Sequence, residues 1–326
     1  MVSLDDVLSA REIIWTRLVH TPLLRNDALS ARIGRPTYLK LENLQKTGSF
    51  KPRGVLTKIA ALSAEEMSHG LITISAGNHA QALAYAAQAS GVHCTVVMPS
   101  SAPASKVAYT RNYGAEVILH PDSITLLQRM QVEQKEHGYT YVSPFDDPHI
   151  IAGQGTVGLE VMDDLPDIAT AAAAVVVPIG GGGLISGIAT AVKGRNPAVR
   201  VFGVEPEGAP TMFNSLAAGH ATHLERVSTI ADGLAAPFAG EWTYSIVRDL
   251  VDDVVLISDE EIAAAVPILV QSAKVVPEPA GAAVLGALLA GRIPLDTLPA
   301  GAPVVVIVSG GNLDLARLVV LLTLRE

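Results

Sequence analysis

Short runs of β-branched and aliphatic residues, separated by alanine-rich stretches of helical length, recur along nearly the whole chain, and few folds suit such a pattern. Strands are expected at 37–42, 71–75, 94–98, 116–119, 139–142, 174–179, 199–204, 253–257 and 304–308. Helices are expected at 55–62, 80–89, 102–113, 123–137, 150–162, 184–193 and 259–274. The runs Val175-Val176-Val177-Pro178-Ile179 and Val304-Val305-Val306-Ile307-Val308 are apolar without alternation, as in strands covered on both faces. The fold class that follows is α/β, with parallel strands and helices on both sides of the sheet. Two βα-rich stretches, 52–147 and 148–326, each have the strands for a sheet of their own. No Pro/Gly/Ser linker separates them, so the chain is expected to cross between domains.

Composition removes several functions. With 326 residues, 49% of them hydrophobic, the chain can bury a large core. Its net charge of −9 and its 23 scattered lysines and arginines do not suit a nucleic-acid partner, which requires clustered cations. Cys94 is the only cysteine, so no intramolecular disulfide or cysteine-rich zinc site can form. Its apolar neighbours indicate packing rather than nucleophilic chemistry. The amino terminus has early acidic residues and no signal-peptide pattern, and the apolar stretch at 171–179 is too short to span a bilayer. A cytoplasmic protein without a membrane partner is expected.

Ligands of open α/β sheets sit beyond the carboxyl ends of the strands. Four such ends carry residues that packing alone does not require: Ser75-Ala76-Gly77-Asn78-His79, Gly180-Gly181-Gly182-Gly183-Leu184, Glu205-Pro206-Glu207-Gly208 and Ser309-Gly310-Gly311-Asn312. The glycine run opens a helix, so its amides can converge on an anion such as phosphate; a tight turn is the plainer reading. Gly181-x-Gly183-x-x-Ser186, with Glu205 after the next strand, also approximates a dinucleotide fingerprint, which leaves an NAD-dependent oxidoreductase open. Lys51 lies between Phe50 and Pro52 at a helix start. It is either a solvated surface group or, under apolar cover, an amine suited to a Schiff base.

Taken together, Ser49-Phe50-Lys51-Pro52-Arg53-Gly54, Ser75 to Gln81, Ile151 to Thr156, Gly180 to Leu184, Ala231-Asp232-Gly233, Glu278 to Ala282 and Ser309 to Asn312 form a specific set. The chain resembles the threonine/serine dehydratase and serine racemase group of fold-type II pyridoxal-phosphate enzymes, which are tryptophan synthase beta-like, from about Thr21 to Asp314. The resemblance implies two open parallel-sheet domains of three layers (α/β/α): a large one, 1–51 plus 148–326, and a small one, 52–147. It also implies pyridoxal 5'-phosphate as cofactor, a small β-hydroxy amino acid as substrate (L-threonine or L-serine, with threo-3-hydroxyaspartate dehydration or amino-acid racemisation as alternatives), and a homodimer or homotetramer.

By that similarity Lys51 is the catalytic residue and carries the cofactor as a Schiff base. Gly180, Gly181, Gly182 and Gly183, with Leu184, cradle its phosphate, Asn78 bonds its phenolic oxygen, Ser309 meets its pyridine nitrogen, and Phe50 packs near its ring. Ser75, Ala76, Gly77, Asn78 and His79 would bind the substrate carboxylate. For His79, structural hydrogen bonding competes with catalysis; Glu278 either bonds within the site or caps the next helix. Phe145 either borders the substrate side chain or packs in the core. The family's racemases have a serine, which can carry a proton, at the position of Ala76, so dehydration is expected over racemisation. A racemase-type metal site would use Glu205, the Ala209 carbonyl and a carboxylate where this chain has Thr211. One charged ligand is too few for a hard cation, so no metal is expected, and Glu205 is otherwise read as a surface group at a strand end. The chain ends at Glu326, about where the family's catalytic unit ends, so no regulatory domain is expected.

Overall fold

The computed structural model describes residues 1–122, 125–165 and 173–323. The start of the helix expected at Ser123 and of the apolar stretch at Ala171 lie outside those residues. Ten strands are present among the described residues: β1 (Leu23–Arg25), β2 (Thr37–Leu41), β3 (Leu71–Ile74), β4 (Cys94–Pro99), β5 (Glu116–His120), β6 (Thr140–Tyr141), β7 (Ala174–Pro178), β8 (Arg200–Pro206), β9 (Asp253–Ile257) and β10 (Val304–Val308). They form a six-stranded sheet in the order β1-β2-β10-β7-β8-β9 and a four-stranded sheet in the order β5-β4-β3-β6.

β7 and β10 run side by side in parallel, Val306 opposite Val176, at the centre of the larger sheet. Their side chains alternate between two cores: Val176, Val304, Val306 and Val308 enter one, and Val175, Val177, Val305 and Ile307 the other. Both faces are therefore covered, which is why these runs carry no polar alternation. One face is closed chiefly by the helix Pro279–Leu289, apolar all round and buried from Pro279 to Leu288. The helix Gly183–Arg195 packs on the other. The expectation of parallel strands throughout needs one correction, since β1 pairs with β2 antiparallel at the sheet edge. Three residues are too few to show a strand pattern.

The smaller sheet is wholly parallel. Leu71, Cys94, Val96 and Met98 face one core while Ile72 and Val97 meet Met130 on the other side. Cys94 is buried, and loss of hydration pushes its thiol up to about 12, so it is packing and not a nucleophile.

Strand order reverses once in each sheet, between β7 and β10 in the larger and between β3 and β6 in the smaller. Connections leaving adjacent parallel strands in opposite directions open a crevice at their carboxyl ends. The four loops at those points are the glycine run, Ser309–Asn312, Ser75–His79 and Ser143–Asp147.

Candidate active site

Lys51 reaches the crevice from beyond β2. Two tight turns follow that strand, and the chain then pairs along the end of β10: Ser49 bridges Gly310, and the Phe50 amide donates to the Ser309 carbonyl at 3.2 Å. Lys51 precedes the helix Pro52–Ala60, where Pro52 suits a first-turn position because no amide is needed there. Its Nζ donates to the Pro144 carbonyl at 2.7 Å, linking the end of the β2/β10 pair to the loop after β6. The Phe50 ring lies beneath, with its centroid 5.1 Å from Nζ. Burial lowers the amine from 10.5 to about 8, and the negative charge of Glu278 opposes that shift. The surface reading of Lys51 is thereby replaced by a partly buried amine lowered to about 8.

The glycine run closes the crevice from the β7 side. Gly182 has φ +90°, and a Cβ on Gly181 would lie 2.2 Å from Phe145 Cδ1. Glycine is thus required by backbone conformation at Gly182 and by close approach at Gly181 before it. The amides of Gly183 and Leu184 open a helix and have no acceptor within it, which leaves donors and the positive end of the helix dipole for an anion. Phe145, buried against Gly181, Gly183 and the Phe238 ring, holds this loop from outside, the packing role among its two readings. A further support lacks any sequence signal. Asp146 accepts the Glu241 and Thr243 amides of the helix Glu241–Leu250, and Thr243 Oγ1 donates to the Gly181 carbonyl at 2.8 Å.

Opposite, Ser75–Gly77 leads into the helix Asn78–Ser90. Ser75 Oγ accepts the Gly77 amide at 3.1 Å, which shapes the loop, and the Asn78 and His79 amides stand at a helix start. The His79 side chain turns away from the crevice to Val142 O, 3.1 Å from Nε2, and burial lowers its pKa to about 3. The ring is neutral and anchored through Nε2, its buried Nδ1 has no partner among the described residues, and its amide stands at the helix start. Asn78 Nδ2 donates to Glu278 Oε1 at 2.7 Å. Glu278 is buried in the site, and loss of hydration pushes its carboxyl up to about 7. Of its two readings, bonding within the site is the one its side chain satisfies. Ser309 is buried beside these groups at the end of β10.

Glu205 differs from expectation. Its side chain is fully buried and accepts the amides of Met212 and Phe213 at 2.8 Å each, at the start of the helix Thr211–Ala218. It is neither a surface group nor free to bond a ribose hydroxyl. With it goes the main support for the dinucleotide reading. Thr211 Oγ1 is engaged with the Ala236 carbonyl at 2.7 Å, and the buried Ala209 lies in the turn between. No group of three or more potential metal-binding side chains occurs among the described residues.

A lysine amine, a helix-start glycine cradle and an asparagine amide thus converge on one crevice, and the pyridoxal-phosphate dependent enzyme family matches residues 14–310. The chain belongs to this family. An L-threonine ammonia-lyase of Thermotoga maritima is 46% identical over 315 residues, covering 96% of this chain and 76% of that protein. A catabolic L-threonine dehydratase of Escherichia coli is 44% identical, covering 97% and 94%. Among solved structures, maize serine racemase superposes with a TM-score of 0.91 at 39% identity, covering 97% of this chain and 95% of that one. As a member of the family the protein is a pyridoxal-phosphate dependent enzyme, and the oxidoreductase alternative is overturned. The residues fit that cofactor. Its aldehyde needs an amine that can lose its proton, which Lys51 supplies, and its phosphate needs the bare backbone donors that the glycine run presents.

Proposed function

We propose that the protein is an L-threonine/L-serine ammonia-lyase, converting a β-hydroxy amino acid to a 2-oxo acid and ammonia, with Lys51 as the catalytic residue. The observation that carries this is the partly buried Lys51 amine, lowered to about 8 and held between the Phe50 ring and the Pro144 carbonyl. The 44–46% identity to proteins named threonine dehydratase or ammonia-lyase supports the reaction class.

Bound, the cofactor supplies an aldehyde that condenses with amino groups and a ring that accepts the electron pair left at Cα. Gly180–Gly183 with Leu184 would hold its phosphate, Asn78 its phenolic oxygen, Ser309 its ring nitrogen and Phe50 one ring face. The chain's residues then divide the remaining tasks. The first-turn amides of Asn78 and His79 bind the substrate carboxylate on the loop begun by Ser75, and Lys51 Nζ, once free, takes the Cα proton. Ala76 has no side-chain proton donor where the family's racemases carry a serine, so β-elimination is expected over racemisation. The domain boundaries, 1–51 plus 148–326 and 52–147, belong to the same proposal, supported by sheet membership. So do a cytoplasmic location and a homodimeric or homotetrameric state, which light scattering checks.

The test is turnover. Threonine should give 2-oxobutanoate and ammonia, and Lys51→Ala should lower that rate by roughly 10²–10⁴-fold. Formation of the D-amino acid faster than keto acid would overturn the lyase reading in favour of a racemase.

A further inference from the structure

The Asn78 amide is held by two hydrogen bonds, one at its oxygen and one at its nitrogen, and the orientation of the whole set starts from a strained turn. Thr47 has φ 62°, a left-handed conformation that a β-branched residue adopts only under constraint. Its carbonyl can only accept, and it accepts from Asn312 Nδ2 at 2.7 Å. That bond decides which end of Asn312 is the amine. The other Nδ2–H of Asn312 goes to Asn78 Oδ1 at 2.8 Å, so Asn78 must turn its own Nδ2 toward Glu278, where one N–H is taken at 2.7 Å. One Nδ2–H of Asn78 is left over. Two glycines make room for the arrangement: a Cβ at Gly48 would lie 2.4 Å from Asn312 Oδ1, and one at Gly310 would lie 2.4 Å from Glu278 Oε1.

We infer that Asn312 and Glu278 are positioning residues, which lock the amide of Asn78 in the one flip state that keeps its remaining N–H for the cofactor's phenolic oxygen. The inference rests on the proposed attachment of pyridoxal phosphate at Lys51. It also assigns Thr47, Gly48 and Gly310 a shared purpose, since each is needed for the Thr47–Asn312–Asn78–Glu278 chain to close. A carboxylate at 312 cannot donate to the Thr47 carbonyl or to Asn78 Oδ1, so Asn312→Asp forces Asn78 to flip and presents oxygen to oxygen at the cofactor. An amide at 278 still accepts the Asn78 N–H, whereas alanine does not.

The experiment loads wild type, Asn312→Asp, Glu278→Gln and Glu278→Ala with pyridoxal phosphate, then measures the cofactor dissociation constant and the pH titration of its visible absorption band. Asn312→Asp and Glu278→Ala should weaken cofactor binding by about tenfold or more and shift the titration, as loss of one hydrogen bond to an anionic oxygen requires. Glu278→Gln should stay near wild type. Should Asn312→Asp fail to fold, Asn312→Ala carries the same expectation. Wild-type affinity and titration in the folded Asn312 variant overturn the inference, and so does a Glu278→Gln as impaired as Glu278→Ala, because charge and not orientation would then be at work. A different failure marks the underlying reading: if borohydride leaves no pyridoxyl label on Lys51 of the wild type, the attachment itself is wrong.

Discussion

Lys51 keeps its ε-amine away from water, and the ammonium loses more from that than the neutral amine does. Only the neutral form attacks an aldehyde. With the amine at about 8, roughly a tenth is reactive at pH 7 and nine-tenths at pH 9. The rate at which cofactor-free protein captures pyridoxal phosphate, followed by visible absorbance, is therefore expected to rise through a midpoint near 8. A midpoint at the ordinary 10.5 would show the amine to be solvated. Phe50, Lys51 and the glycines were legible in the sequence because their types are unusual beside one another. The groups that hold them were not. Pro144 bonds Lys51 through a backbone carbonyl, which any residue would supply, and Thr243 meets Gly181 across 62 positions of chain. His79 was legible as a candidate but not in its direction, since the acceptor at Val142 lies 63 residues away.

Elements with a plain period were readable, and elements whose character comes from tertiary packing were not. Parallel strands such as β7 and β10 announce themselves by unbroken valine runs, but the helix Pro279–Leu289 is apolar on every side and offers no period to read. The helix expected over 259–274 changes to π geometry at Leu269–Ala273 and ends at Lys274 with φ 59°, a distortion that Pro267 inside the helix signals although the apolar period does not. The short helix Thr211–Ala218 depends on a residue outside itself. Glu205→Ala would leave the Met212 and Phe213 amides buried without acceptors, at a cost of about 1–3 kcal/mol. Burial holds the Glu205 carboxyl at about 8 in the fold against an ordinary 4.5. A raised acid contributes its stability below the ordinary value and loses it as pH climbs to the folded one. Thermal unfolding should thus show a larger penalty for Glu205→Ala near pH 5 than near pH 9. A penalty that grew with pH instead would mean that the carboxylate is the stabilised form.

Across the whole molecule, the segment that carries Lys51 is tied to the larger sheet by buried charge. Arg53, two residues on, spreads its guanidinium over Glu42 at 2.8 Å and Glu160 at 2.7 Å, and Lys40 of β2 completes the group at 2.6 Å from Glu160. The four groups come from a strand, a turn and two helices, so no local pattern in the sequence joins them. Burial pushes Glu160 up, but Arg53 and Lys40 outweigh it and hold the carboxyl below 4.5. Its stabilising contribution is present above that value and is lost as the solution is acidified through the folded pKa. Breaking such a group costs more than forming it gains, because the partners stay buried and unpaired. Arg53→Met is expected to lower the free energy of unfolding by about 3–5 kcal/mol in urea titrations, with Glu42 and Glu160 left facing each other. The contact between Lys58 and Asp147, 2.7 Å long but partly open to water, serves as the contrast. Lys58→Ala should cost no more than about 1 kcal/mol. Equal losses in the two variants would mean that the Arg53 cluster is hydrated in solution, and that packing of the helix Pro52–Ala60 alone fixes the position of Lys51.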